Sequence, residues 1–356
     1  MINIYKDFGE RFEGVYAHLR GALKVVEPLI GLVKMLNAGT DLEERMVRNT
    51  RRHIFVKNLL KNPGELAKRE ENIFDAIPIT LQQVKVQRVP TLKTVEAQVM
   101  QGNIVLITGP HGSGKATLCS LLTDNRNPDM GDVLCPSYLR TLHVSYVPEM
   151  IAYLSLYENL SFGCDDMNPD RVRRIVQRMG LGGRMLRELE KDIAALTENP
   201  KGHVAKVSSY RARRRSSGRG QVTPEELSND AEDHRPWFTQ LSTNERKLLN
   251  LTRAFVLNPE VLVLHRPVDE SDEAMTDKIL GLLREFVQER GIELDSADYA
   301  RRRPRTVFFS GGEVKHATLC KTADVVWRLS SAEDGLKIES NGKEQARHIR
   351  VSVESM

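Results

Sequence analysis

Between residues 12 and 37, "FEGVYAHLRGALKVVEPLIGLVKMLN", Tyr16, Leu19, Leu23, Val26, Ile30 and Val33 recur at steps of three and four. That spacing predicts one apolar face of a long helix, which Pro28 is expected to kink or break. The face fits packing on the rest of the chain or docking on a partner, and the period alone leaves both open. Residues 40–77 are polar and charged, with a turn at Asn62, Pro63 and Gly64, and read as a connector. From residue 78 the period shortens. "ITLQQVKVQ" alternates as a half-exposed strand does, "TVEAQV" predicts a second, and Gly102 turns the chain into "NIVLITG", a β-branched run suited to a buried strand.

A helix is expected from "KATLCSLLT", and "GDVLCP" and "LHVSYVP" read as short strands. Residues 151–194 read as mainly helical. The stretch 197–236 is poor in apolar residues, carries the basic run "RARRRSSGR", and is expected to be a mobile surface insertion. Order resumes with "LSTNERKLLNLTRAFVLNP", a helix opened by a capping box of Ser242 and Glu245 and closed at Asn258-Pro259. "EVLVLH" and "RTVFFSGG" read as buried strands flanking the amphipathic helix "DKILGLLREFVQER", and "DVVWRLS" with "GLKIES" as a closing strand pair. Strands alternating with helices imply a mostly parallel sheet covered on both faces.

Composition narrows this picture only slightly. The 356 residues, 40% hydrophobic and 28% charged, suffice for one large α/β domain with appendages or two modest domains. A net charge of +4 gives no ground for a nucleic-acid partner. Four scattered cysteines, Cys119, Cys135, Cys164 and Cys320, have neither metal spacing nor a paired pattern and read as reduced thiols. No apolar run reaches membrane-spanning length, and the first residues lack the apolar core of a signal peptide.

The chemistry concentrates at "LITGPHGSGKATLCSLL", residues 106–122. Gly109, Gly112 and Gly114 free the backbone so that successive N–H groups converge on an anion, and the helix from Lys115 adds its N-terminus. Lys115 is placed to reach the β- and γ-phosphates of a nucleotide. Pro110, His111 and Ser113 fill the loop. Ala116 stands where a Ser or Thr hydroxyl would hold Mg²⁺, and Thr117 offers a hydroxyl next door.

From here the chain resembles the nucleotide-binding domain of an ABC (ATP-binding cassette) transporter, exporter-like, over residues 78–340. "GPHGSGKATL" is similar to the family's GxxGxGKST loop, and "VSYVPE" followed by "LSLYENLSFG" to its Q-loop segment. "LSTNERKLLNLTRAFVLNPEVLVLHRPVDESD" resembles its signature helix, Walker B strand and D-loop, and "TVFFSGG" followed by "TADVVWRLSSAEDG" its H-loop strand and ending. The resemblance implies a P-loop NTPase fold of the ABC type: a RecA-like α/β core over 78–150 and 241–356, a helical subdomain at 151–240 bearing the insertion, and a helical arm and connector at 1–77. It further implies ATP as ligand, a transmembrane domain and a second cassette as partners, and a peripheral position on the cytoplasmic face of a membrane.

Several positions depart from the family pattern. Glu149 replaces the Q-loop Gln, His265 the Walker B Asp, and Arg266 the catalytic Glu. Ser242 is kept in the signature, but Thr243 and Asn244 replace its glycines, and Gly311 replaces the H-loop His. Arg88 lies near the place where the family stacks an aromatic on adenine. Phosphoryl transfer rests on positioning and on metal and charge stabilisation, and loss of a general base alone slows it by about 10²- to 10⁴-fold. These substitutions put Mg²⁺ in doubt and leave two readings: a weak or inactive ATP-binding cassette, or a non-hydrolysing pseudoenzyme that supports a competent partner.

Overall fold

The computed structural model describes residues 2–61, 72–89, 91–151, 154–164, 168–198, 241–312, 316–330 and 336–340. The chain forms two units, residues 1–51 and 52–356. The expected insertion beyond residue 198, its basic run and the Asn62-Pro63-Gly64 turn lie outside the described residues.

Helix α1, Ile2–Leu36, starts ten residues earlier than the apolar period predicts, and Pro28 sits inside it without ending it. A mid-helix proline costs about 3 kcal/mol, a local loss of one N–H donor that the turns on either side outlast. Within the polar stretch 40–77, residues Leu42–Lys61 form helix α2. Its first turn carries Glu43 and Glu44, its last carries Lys61, and Arg45 pairs with Asp41 at 2.6 Å. Charge arrangement of this kind supports a helix without an apolar stripe, so hydrophobic period passes over it. At its middle the buried Arg52 donates to the Val133 carbonyl at 3.0 Å and pairs with Asp124.

Three strands, β1 (Ile79–Lys85), β2 (Val95–Val99) and β4 (Met130–Leu134), form an antiparallel sheet in the order β2-β1-β4. The larger sheet runs β5-β6-β7-β3-β8-β9. Its members are β3 (Ile104–Thr108), β5 (Thr141–Val144), β6 (Val261–Leu264), β7 (Thr306–Ser310), β8 (Val325–Leu329) and β9 (Leu336–Ser340). All pairs are parallel except β8 with β9.

Alternate residues of the central strands feed two cores. Leu106, Leu264 and Phe309 face one with Phe255 and Phe286, while Ile107, Val263 and Phe308 face the other with Leu118 and Trp327. Burial on both faces is why these strands read as unbroken apolar runs.

Seven helices complete the described core: α3 (Lys115–Leu122), α4 (Leu156–Ser161), α5 (Pro169–Met179), α6 (Gly183–Glu198), α7 (Thr243–Leu257), α8 (Glu273–Gln288) and α9 (His316–Thr322). Arg171 of α5 donates to the carbonyls of Phe255 at 3.0 Å and Val256 at 2.8 Å, satisfying the end of α7. All four cysteines are free, and burial pushes the thiols of Cys119 and Cys135 up to about 12. Among the described residues no helix is long and apolar enough to cross a membrane.

Candidate nucleotide-binding site

Strand β3 runs into the glycine loop and α3 leaves it. Gly109 has φ 145°, and a Cβ there would lie 2.4 Å from the Leu329 carbonyl of the neighbouring strand. Gly114 has φ 86°, and a Cβ would lie 2.4 Å from Val89. Both positions therefore exclude larger residues for backbone conformation and for space. Gly112, at φ 79°, faces open space. The Thr91 hydroxyl donates to the Ser113 carbonyl at 2.7 Å, which holds the turn after β1, with exposed Arg88, against the loop.

Lys115 is buried at the start of α3, and its Nζ donates to the carbonyls of Gly109 at 2.7 Å and Pro110 at 2.8 Å. The Ser113 hydroxyl is buried with no hydrogen-bond partner. Pro110, His111 and Ala116 are exposed and Thr117 is half-buried.

The end of β6 brings a second group to this loop. Ser310, fully buried at the end of β7, lies 2.9 Å from His265 Nδ1 and accepts the Arg266 backbone N–H at 3.0 Å. The Arg266 guanidinium approaches His111 Nδ1 at 3.4 Å and the Asp269 carboxylate at 3.5 Å. Burial depresses the His265 pKa first, and the nearby charges of Arg266, His143 and Lys115 add to the effect against Asp269. The imidazole is therefore neutral at neutral pH.

Beside this turn, Lys247 of α7 pairs with Glu270 and lies 4.0 Å over the Tyr146 ring, whose hydroxyl also donates to Glu270. Tyr146, Lys247, Asn250, His265 and Arg266 line one small pocket. Glu149 is exposed, and its carbonyl accepts from Arg253 at 3.4 Å. Ser242 caps α7 in a capping box with Glu245 and is exposed.

The fold thus gathers the loop 109–115, His265 and Arg266, sets Glu149 beside α7 through Arg253, and leaves Ser242 among its own first-turn contacts. Sequence reasoning missed Ser310, Asp269 and the Tyr146–Lys247–Glu270 group. The signal for Ser310 was a lone hydroxyl at the end of an apolar strand, just before Gly311.

The donor chemistry separates the two ligands the resemblance implies. Converging loop amides, the α3 N-terminus, Lys115 and an unpartnered Ser113 hydroxyl suit a chain of phosphates. Mg²⁺ fits poorly: Ala116 has no oxygen to give, His265 Nδ1 is engaged with Ser310, and Arg266 is a cation. Among the described residues no group of three or more His, Cys, Asp or Glu is arranged for a metal ion.

A parallel sheet with a glycine phosphate loop at the end of its central strand defines a P-loop α/β cassette. The ABC transporter family model matches residues 92–269, and the chain belongs to that family. It is 24% identical over 256 residues to the lipoprotein-releasing system ATP-binding protein LolD of Myxococcus xanthus, covering 65% of this chain and 92% of that protein. It is 28% identical over 236 residues to the macrolide export ATP-binding/permease protein MacB of Rhodopirellula baltica, covering 63% of this chain and 30% of that one. Among solved structures, the dimeric post-hydrolysis state of the ATP-binding cassette MJ0796 bound to ADP and Pi matches with a TM-score of 0.48 and 17% identity, covering 74% of this chain and 98% of that one.

Proposed function

We propose that this chain is the nucleotide-binding part of an ABC transporter that holds ATP with little dependence on Mg²⁺ and hydrolyses it slowly or not at all. The observation that carries the reading is Arg266, a cation directed to the phosphate loop from the place of the family's catalytic Glu. Lys115, the amides of the loop and Arg266 would share the phosphate charge. His265 supplies no carboxylate that would call for a metal. In this reading the partners are a transmembrane domain and a second cassette, at the cytoplasmic face of a membrane.

A second reading, a purely structural or regulatory pseudoenzyme, draws support from the exposed start of α7. There Thr243 and Asn244 put side chains where the family has glycines, which narrows the approach to a partner's nucleotide. Calorimetric titration of ATP with and without Mg²⁺, beside Lys115→Ala, separates the two. Binding in both conditions that is lost in the variant is the expected result. Binding that vanishes when Mg²⁺ is removed would overturn the metal-independent reading, and no binding in any condition would favour the scaffold.

A further inference from the structure

Six of the apolar residues along α1, Tyr16, Leu19, Leu23, Val26, Ile30 and Val33, are 45–64% exposed. Their steps of 3, 4, 3, 4 and 3 average 3.5 residues, the repeat of a left-handed coiled-coil seam, and Val25, Leu32 and Met35 outside that seam are exposed as well. With Tyr16, Leu23 and Ile30 at the first seam position, one flank of the seam holds Glu13, Arg20, Glu27 and Lys34, seven apart and alternating in sign. The other flank holds Val15, Leu29 and Leu36, all exposed. Pro28 falls on the outermost position, away from the seam.

These flanks decide the partner and its direction. In a parallel pair each charged flank would face an apolar one. In an antiparallel pair of identical helices, charged flank meets charged flank and apolar meets apolar. Placing Leu23 on Val26 of the second copy puts Leu19 on Ile30 and Tyr16 on Val33. The same register sets Arg20 against Glu27 and Glu13 against Lys34, each twice by symmetry. A slip of one heptad in one direction sets Arg20 on Arg20 and Glu13 on Glu27; in the other it sets Glu27 on Glu27 and Arg20 on Lys34. Charge therefore disfavours both one-heptad slips. Among the described residues none of the four charges has an ion-pair partner within the chain.

We propose that α1 is an antiparallel coiled-coil interface for a second copy of this chain, separate from any pairing through the cassette. Sedimentation equilibrium of the nucleotide-free full chain tests it, so failure here leaves the ATP reading untouched. A dimer is expected. Arg20→Glu or Glu27→Arg alone should weaken it by about ten-fold or more, and the double exchange should restore it. Leu23→Asp should abolish it while leaving the cassette's melting transition in place.

A spin label at Asn37→Cys, with Cys164 and Cys320 changed to Ser, should report about 37 Å between copies, against roughly 10 Å for a parallel pair. A monomer, a dimer indifferent to the charge reversals, a short label distance, or binding to anionic vesicles without self-association would each overturn the proposal.

Discussion

Arg266 holds a left-handed backbone at φ 53°, a conformation that costs a non-glycine residue about 1–3 kcal/mol unless its surroundings impose it. Here they do: Ser310 takes its N–H and Asp269 its guanidinium. The guanidinium is only partly exposed, so its attraction for a phosphate is less screened than on an open surface. Arg266→Ala should weaken Mg²⁺-free ATP binding by about ten-fold, on the order of 1.4 kcal/mol, while Lys247→Ala, whose ammonium is held by Glu270, should leave it nearly unchanged. Equal losses from both variants, measured by calorimetry, would point to general charge attraction instead of a specific contact.

At the scale of elements, α7 shows how far local rules reach. The Ser242–Glu245 box was legible from the four letters "STNE", because a cap depends only on residues three apart, and both reciprocal bonds are present: Glu245 N–H to Ser242 Oγ at 3.2 Å and Ser242 N–H to Glu245 at 2.8 Å. Ser242→Ala should lower the stability of the chain by about 1 kcal/mol, read from the urea midpoint at constant slope. The far end of α7 was not legible: its carbonyls are satisfied by Arg171, 84 and 85 positions away. Helices α1 and α2 mark the same boundary from the other side. Pro28 does not end α1, and the charges of α2 do not exclude a helix, because a long helix tolerates one lost bond and an exposed one needs no apolar face.

For the whole molecule, two half-buried histidines link stability to pH. Burial depresses the pKa of His143 and, with neighbouring charges, of His265 below the ordinary 6.5. Below pH 6.5 the unfolded chain binds protons that the folded chain resists, so stability is full above that value and falls as the pH drops through the folded pKa values. The urea midpoint should be lower at pH 5.5 than at 7.5, and His265→Asn should reduce the difference; a variant with an unchanged pH dependence would contradict this assignment.

What the sequence determined alone was what depends on residues a few positions apart: the strand runs, the capping box of α7, the glycine spacing and the apolar face of α1. The strand order β5-β6-β7-β3-β8-β9 was decided by tertiary structure, and with it the meeting of Arg266 with His111 across 155 positions and of His265 with Ser310 across 45. Local propensity carries no information on which crossover sets two strands side by side. The neighbours of the phosphate loop are whichever residues end those adjacent strands.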